Sequence, residues 1–218
     1  FAAIVTAISI PVGIVCGLFL ARTTLPKAPL IALVLAPWMI SVVVRSYGWV
    51  VVLDYAGILN WILTSLGIVE MPIQFLFRPL GTIIGLVHIF LPIMILNVFA
   101  VALHNDRVYE EASATLGAAP RQTFFLVLLP MLMPGVVTGA TVVFVLTCGA
   151  VVTPLMLGGI RDAMIGTQIY QDVFQTFNLP KASAMSIILI VSTVGVLAAA
   201  ALLRRVFVSL GNTAGEKQ

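Results

Sequence analysis

Charge-free apolar stretches recur along the chain, most of them close to the length of about 20 residues that carries a helix across about 30 Å of hydrocarbon. Residues 1–21 are uncharged and end at Arg22; 28–44 are uncharged and end at Arg45. Residues 79–105 carry no ionisable group except His88 and His104, and 182–203 lie between Lys181 and the pair Arg204-Arg205. The stretch 122–160 is uncharged over 39 residues, which as one helix would run about 58 Å and overshoot a bilayer. It has to break, and Pro130, Pro134-Gly135, Gly149, Pro154 and Gly158-Gly159 are the residues that can break it. One crossing followed by an irregular outer segment is expected there. The predicted spans are 1–21, 29–52, 80–103, 130–150 and 182–203, in one all-α transmembrane helix bundle covering 1–218. The segment 104–126 is left as a connection between the third and fourth spans.

Composition agrees with this pattern. Of the 218 residues, 61% are hydrophobic and 9% charged, whereas a soluble domain carries roughly a quarter charged residues. With a mean hydropathy of +1.17, there is more apolar surface than one globular core can bury, so lipid must solvate the rest. The net charge of +3 comes from eleven Lys and Arg scattered along the chain without a basic patch, which argues against nucleic acid as a partner. Cys16 and Cys148 lie in apolar runs, match no metal or redox spacing and read as packing thiols.

Basic residues assign the sides of the membrane. Arg22, Lys27, Arg107, Arg121, Arg204, Arg205 and Lys217 fall on one side, against Arg45, Arg78, Arg161 and Lys181 on the other. The first group is expected in the cytoplasm, with the C-terminus inside and residue 1 outside. Residue 1 is Phe and no basic region precedes the first apolar run, so that run is not a standard signal peptide. The chain is expected to be truncated at its start, and an upstream helix would return the N-terminus to the inside.

The segment 109–134, YEEASATLGAAPRQTFFLVLLPMLMP, carries the most information. Glu110, Glu111, Ala112, Ala114 and Leu116 favour helix, Gly117 stands where a left-handed cap would end it, and Pro120 suits the first turn of the next helix. Val108, Ala112 and Leu116 fall on one face, and the small residues around them keep the helix thin enough to enter a groove. Glu110 and Glu111 suit its N-terminal end and offer charge to a basic partner.

These residues resemble a known family. Glu111-Ala112-Ser113, Gly117 after three residues, then Val127, Leu129 and Pro130 are similar to the EAA loop of binding-protein-dependent ABC importer permeases, with Ser113 in place of the second Ala and Val127 in place of Ile. The resemblance implies a type I ABC importer permease fold. It also implies that 104–126 is a cytoplasmic coupling segment, with Tyr109, Glu110, Glu111, Ala112, Ser113, Gly117 and Ala118 seated on a cytoplasmic ABC ATPase dimer. ATP and Mg would bind those ATPase subunits, since this chain has no G-x-x-x-x-G-K-[ST] loop. Further implied partners are a second permease subunit and a periplasmic solute-binding protein, and the implied location is a bacterial inner membrane.

A second resemblance is narrower. Arg45-Ser46-Tyr47-Gly48-Trp49, Gly57-Ile58-Leu59-Asn60 and the stretch from Leu157-Gly158-Gly159 to Met164-Ile165-Gly166 are similar to segments of spermidine/putrescine-type permeases, in the first of their two permease subunits. By that likeness the first helix and the following outer loop precede residue 1. A polyamine is the expected solute; an opine, another amine or a small anion is the alternative.

An ionisable residue near membrane depth is costly and marks a path when it faces water. Asp54, Glu70 and Asp172 are candidates to pair with ammonium groups, and Tyr47, Trp49 and Tyr170 to offer cation–π faces. Arg45 and Asp162 are further outer charges; Arg45 is expected to pair with an acid such as Asp54 or to contact a docked binding protein. Trp38, Trp49 and Trp61 also fit an interfacial belt. His88 and Asn97 are expected to pack between helices. No metal-ligand spacing or nucleophile grouping stands out, so no catalytic, cofactor-binding or metal residue is assigned and the chain is expected not to be an enzyme. A secondary transporter would need intramembrane acids or inverted repeats, and neither is visible.

Overall fold

The computed structural model describes residues 1–105, 108–159 and 163–215, with side chains through 202. Arg107, Arg161, Asp162 and Lys217, and the side chains of Arg204 and Arg205, lie outside the described residues. The elements are α1 Ala2–Arg22, α2 Lys27–Met39, α3 Val42–Leu53, α4 Ile58–Ser65, α5 Pro79–His104 and α6 Val108–Thr115. They continue with α7 Pro120–Gln122, a π-helical turn Thr123–Leu128, α8 Leu129–Cys148, α9 Val152–Leu157, α10 Ile165–Phe174 and α11 Leu179–Gly215. Five stretches are long and apolar enough to cross a membrane: Ala2–Arg22, Val42–Ser65, Pro79–His104, Pro120–Cys148 and Leu179–Leu202.

The core is a three-helix packing of α1, α5 and α8, with Val5, Leu86, Met94, Val98, Leu132 and Val143 buried among them. In lipid, helices gain little from burying one apolar face against another and associate by close packing. Two glycine pairs at four-residue spacing provide that closeness. Gly13 and Gly17 of α1 meet Met94 and Val98 of α5, and a Cβ on Gly17 would fall 2.9 Å from the Val98 Cβ. On the adjoining face of α5, Gly135 and Gly139 of α8 meet Asn97 and Met94, and a Cβ on Gly135 would fall 2.8 Å from the Asn97 carbonyl oxygen. α1, α5 and α8 are thereby drawn onto one another by backbone approach, with Met94 at the meeting point. α11 contrasts with it, since beyond Ala182 none of its described side chains is buried within this chain.

Three expectations from the sequence are corrected. The stretch 29–52 is not one helix: Pro37 has no N–H to give the preceding turn, the backbone opens at Ile40, and α3 starts afresh after Ser41. With 13 residues, α2 reaches only about 20 Å. By length and composition the stretch long enough to cross is Val42–Ser65, but the turn at 54–57 divides it, so α2 and α3 together span what was expected of one helix. The fourth helical stretch begins at Pro120 rather than 130, because the chain passes Pro130 without unwinding. A π turn directly before Pro130 opens the ladder where the proline lacks its donor and its ring would press on the Leu126 carbonyl. The segment after α8 is not irregular, since it contains α9 and α10.

Candidate functional site

At one end of the bundle α6 stands as a separate two-turn helix. Its cap is a Schellman arrangement: the Gly117 N–H donates to the Ala114 carbonyl and the Ala118 N–H to the Ser113 carbonyl, with Gly117 at φ +81°. A side chain at 117 would meet open space, so the glycine is required by the backbone and not by crowding. Pro120 then opens the next helix, and the Gln122 side chain accepts from the Ala119 N–H at 2.9 Å.

Two ties hold α6 to the bundle. Arg22, the last residue of α1, forms an ion pair with Glu110. The Ser113 and Thr123 hydroxyls are 2.8 Å apart, and Ser113 also donates to the Glu110 carbonyl, which leaves Thr123 as donor to Ser113. Glu110 and Ser113 thus face inward, toward α1 and the π turn. Tyr109, Glu111, Ala112 and Leu116 point outward and are exposed, Leu116 at 88%. Next to them a cavity of about 340 Å³ is lined by Leu116, Gly117, Ala118, Gln122, Thr123 and Leu126 among others. Position 113 is where the resembled motif has alanine, and here its hydroxyl creates the link to the π turn.

Toward the other end, α3 packs on α5 and α9. The Ser46 and Thr153 hydroxyls lie 3.0 Å apart, and the Trp49 indole N–H donates to His88 Nδ1 at 3.1 Å. Trp38 donates to the Ile89 carbonyl at 2.8 Å. The turn between α3 and α4 is held by Asn60, which is 1% exposed. Its amide donates to the carbonyls of Asp54, Tyr55 and Ile73, and its Oδ1 accepts from the Ile73 N–H. Gly57 is needed in the same turn, since a Cβ would fall 2.6 Å from the Val52 carbonyl oxygen. The Gly-x-x-Asn spacing therefore has a structural cause: it fastens the α3–α4 turn to the loop that follows α4.

The outer candidates do not converge. Tyr47, Asp54 and Glu70 are exposed, and Trp49 is engaged with His88. Asp172 is 3% exposed and ion-paired with Lys181 at 3.0 Å, with Gln168 and Thr176 each 3.5 Å from the same oxygen. It closes the α10–α11 turn and is not open to a solute. Tyr170 packs against Phe174 in α10. Arg45 does not pair with Asp54 and does not lie at the outer surface. Because α2 stops short, α3 begins beside the middle of α5, and Arg45 lines a groove at the level of Leu86, Ile89 and Phe90. Asn97 donates to the Ile93 carbonyl of its own helix, packing against α8 rather than facing a pore.

The EAA-type spacing signalled α6 before any coordinates. The Arg22 tie, the hydroxyl link and the π turn had no such signal, because each joins residues distant in sequence or depends on how two prolines are accommodated. The glycine pairs 13/17 and 135/139 were visible as a small-x-x-x-small spacing in apolar helices and could have marked the α5 contacts.

Helices of this length and packing, with a short separate helix tied to one end, define a polytopic membrane protein. The chain belongs to the family of binding-protein-dependent transport system inner membrane components, whose model matches residues 9–208. It is 37% identical over 158 residues to the spermidine/putrescine transport system permease protein PotB of Haemophilus influenzae, covering 72% of this chain and 55% of that protein. The PotB of Escherichia coli is 32% identical over 189 residues, covering 86% of this chain and 69% of that protein. The chain thus spans between half and about two thirds of the length of these relatives. A bacterial alginate ABC transporter, solved in complex with its alginate pentasaccharide-bound periplasmic protein, shares the fold with TM-score 0.71 and 19% identity, covering 94% of this chain and 77% of that one. An inward-facing MetNI methionine ABC transporter does so with TM-score 0.65 and 19% identity, covering 94% of this chain and 88% of that one.

Proposed function

We propose that the chain is the permease subunit of an ATP-driven importer that carries a polyamine across a bacterial inner membrane. The observation that carries this reading is α6: a short helix with an exposed outer face at the bundle's inner end, tied on its inner face to both α1 and the π turn that leads into α8. Similarity to the two PotB proteins supports the solute class.

In this reading Tyr109, Glu111, Ala112 and Leu116 seat on a cytoplasmic ATPase dimer, which holds ATP and Mg; this chain supplies no catalytic group. Closure of the ATPase pair displaces α6. The Arg22–Glu110 pair passes that displacement to α1, and the Ser113–Thr123 link passes it to the wide turn at the start of α8. Because α1, α5 and α8 pack on one another through close glycine contacts, the three move together and exchange an outward-open path for an inward-open one. Tighter binding of ATP to one state supplies the bias, and hydrolysis resets it. A periplasmic binding protein delivers the solute at the outer end, where Tyr47, Asp54 and Glu70 are accessible to ammonium groups. A second permease subunit covers the exposed helix faces, and the C-terminus of α11 lies in the cytoplasm with Arg22 and α6.

The test is uptake of radiolabelled spermidine, with ATP hydrolysis followed in parallel, by the full complex reconstituted in proteoliposomes with its binding protein. Spermidine-dependent hydrolysis with accumulation inside is expected. Hydrolysis that ignores polyamines but responds to an oxyanion or an opine would replace the solute, and accumulation without ATP would replace the mechanism.

A further inference from the structure

Arg45 is the one charged residue lining a groove of about 350 Å³ between α2, α3, α5 and the α8–α9 junction; Trp38, Leu86, Ile89, Phe90 and Leu146 make most of the rest. Its Nε and Nη1 are shut off from solvent and have no hydrogen-bond acceptor among the described residues. Among the described residues no carboxylate lines the groove, and the buried acid Asp172 is already paired with Lys181. Depth follows from α5: Ile89, on the groove wall, lies ten residues from Pro79 and fifteen from His104, about 15 Å and 22 Å along the helix. A guanidinium held at that depth with idle donors needs an anionic partner.

A lipid phosphate is an unsuitable partner, because it sits at the membrane surface and not some 15 Å below the end of a spanning helix. Arginine's planar fork suits a carboxylate in two-point contact. The groove opens on a face this chain leaves uncovered, with Trp38 and Leu146 exposed at its rim.

We propose that Arg45 is the resting counter-ion of a carboxylate on a membrane helix of the second permease subunit, and that the cationic solute displaces it there. The inference rests on the importer reading above and deepens it. In the resting complex the Arg45–carboxylate pair bridges the two permeases across the groove and holds the path shut. An ammonium group of the entering solute takes Arg45's place on the carboxylate, so a cation opens a gate that a neutral molecule cannot. Arg45 is a positioning and specificity residue in this account. It explains why a positive charge lies in the path of a cation carrier, since the arginine is a tethered stand-in for the cargo.

The experiment uses the complete complex, with the full-length permease, its partner permease, the ATPase and the binding protein, in nanodiscs and proteoliposomes. Arg45→Gln is expected to raise solute-free ATP hydrolysis about threefold or more and to lower spermidine uptake about tenfold, while Arg45→Lys keeps most of both phenotypes near wild type. Neutralising the Asp and Glu residues of the partner's spans one at a time in the Arg45→Gln background should find one substitution that brings solute-free hydrolysis back down. If Arg45→Gln fails to assemble, rescue of assembly by one such substitution carries the same meaning. Wild-type solute-free hydrolysis in Arg45→Gln overturns the proposal, as does a defect that no partner acid relieves. Relief by Asp162→Asn would place the counter-charge in this chain and overturn it as well. Solute-free hydrolysis does not depend on what the cargo is. A wild-type complex that ignores spermidine while the charge coupling holds therefore refutes the solute and the displacement step but leaves the interchain pair standing.

Discussion

Asn60 shows how one side chain can set the geometry of an outer surface. It satisfies three carbonyls and one N–H drawn from the α3–α4 turn and the loop beyond α4, and its burial leaves no water to replace it. Asn60→Leu keeps the volume and removes every bond, so it is expected to cost about 2–4 kcal/mol. A fall in the melting temperature of the purified complex, with α6 still able to engage the ATPase, checks this; an unchanged melting temperature removes Asn60's role as a fastener. The Gly-x-x-Asn spacing was legible in the sequence as a resemblance, yet its cause was not, because Ile73 lies thirteen residues away and nothing local points to it. Asp172 failed in the opposite direction. An acid beside an outer turn read as open to a cation, and only the fold brings Lys181 onto it.

At the level of elements, α6 depends on Gly117 at one end and Glu110 on its inner face. Gly117 adopts φ +81° with free space around it. Gly117→Trp therefore strains the cap by about 1–2 kcal/mol and puts an indole into the surface proposed to meet the ATPase. ATP hydrolysis that persists while uptake is lost is the expected outcome, measured side by side in proteoliposomes; normal uptake would reject docking at this corner. Glu110→Gln keeps the outer face intact and breaks the Arg22 pair. It should lower uptake per ATP about fivefold or more, while Glu110→Asp retains part of the coupling; equal uptake per ATP in all three proteins would mean that α1 is driven by another route. The spans themselves were legible wherever an uncharged stretch matched one helix, as in α1 and α5. They were misread where proline broke a helix at Ile40 or failed to break one at Pro130, since the outcome depends on whether the ladder can open by one residue.

For the whole molecule, the close glycine contacts join α1, α5 and α8 into one packed unit, and in the proposed mechanism α6 is its handle. The exposed α11, the open groove at Arg45 and the outward face of α6 are the surfaces that the proposed partners would complete, and a single sequence shows such surfaces only as unexplained apolar or charged residues. The central claim is that α6 lies inside the cell and seats on a nucleotide-hydrolysing partner. Its most direct test is thiol cross-linking of Leu116→Cys, in a complex whose other thiols are replaced, to cysteines placed around the ATPase surface, with and without ATP. The account predicts a cross-link to the ATPase whose yield changes when ATP binds; labelling of that cysteine by an impermeant reagent from outside the cell, with no ATPase adduct, would contradict it.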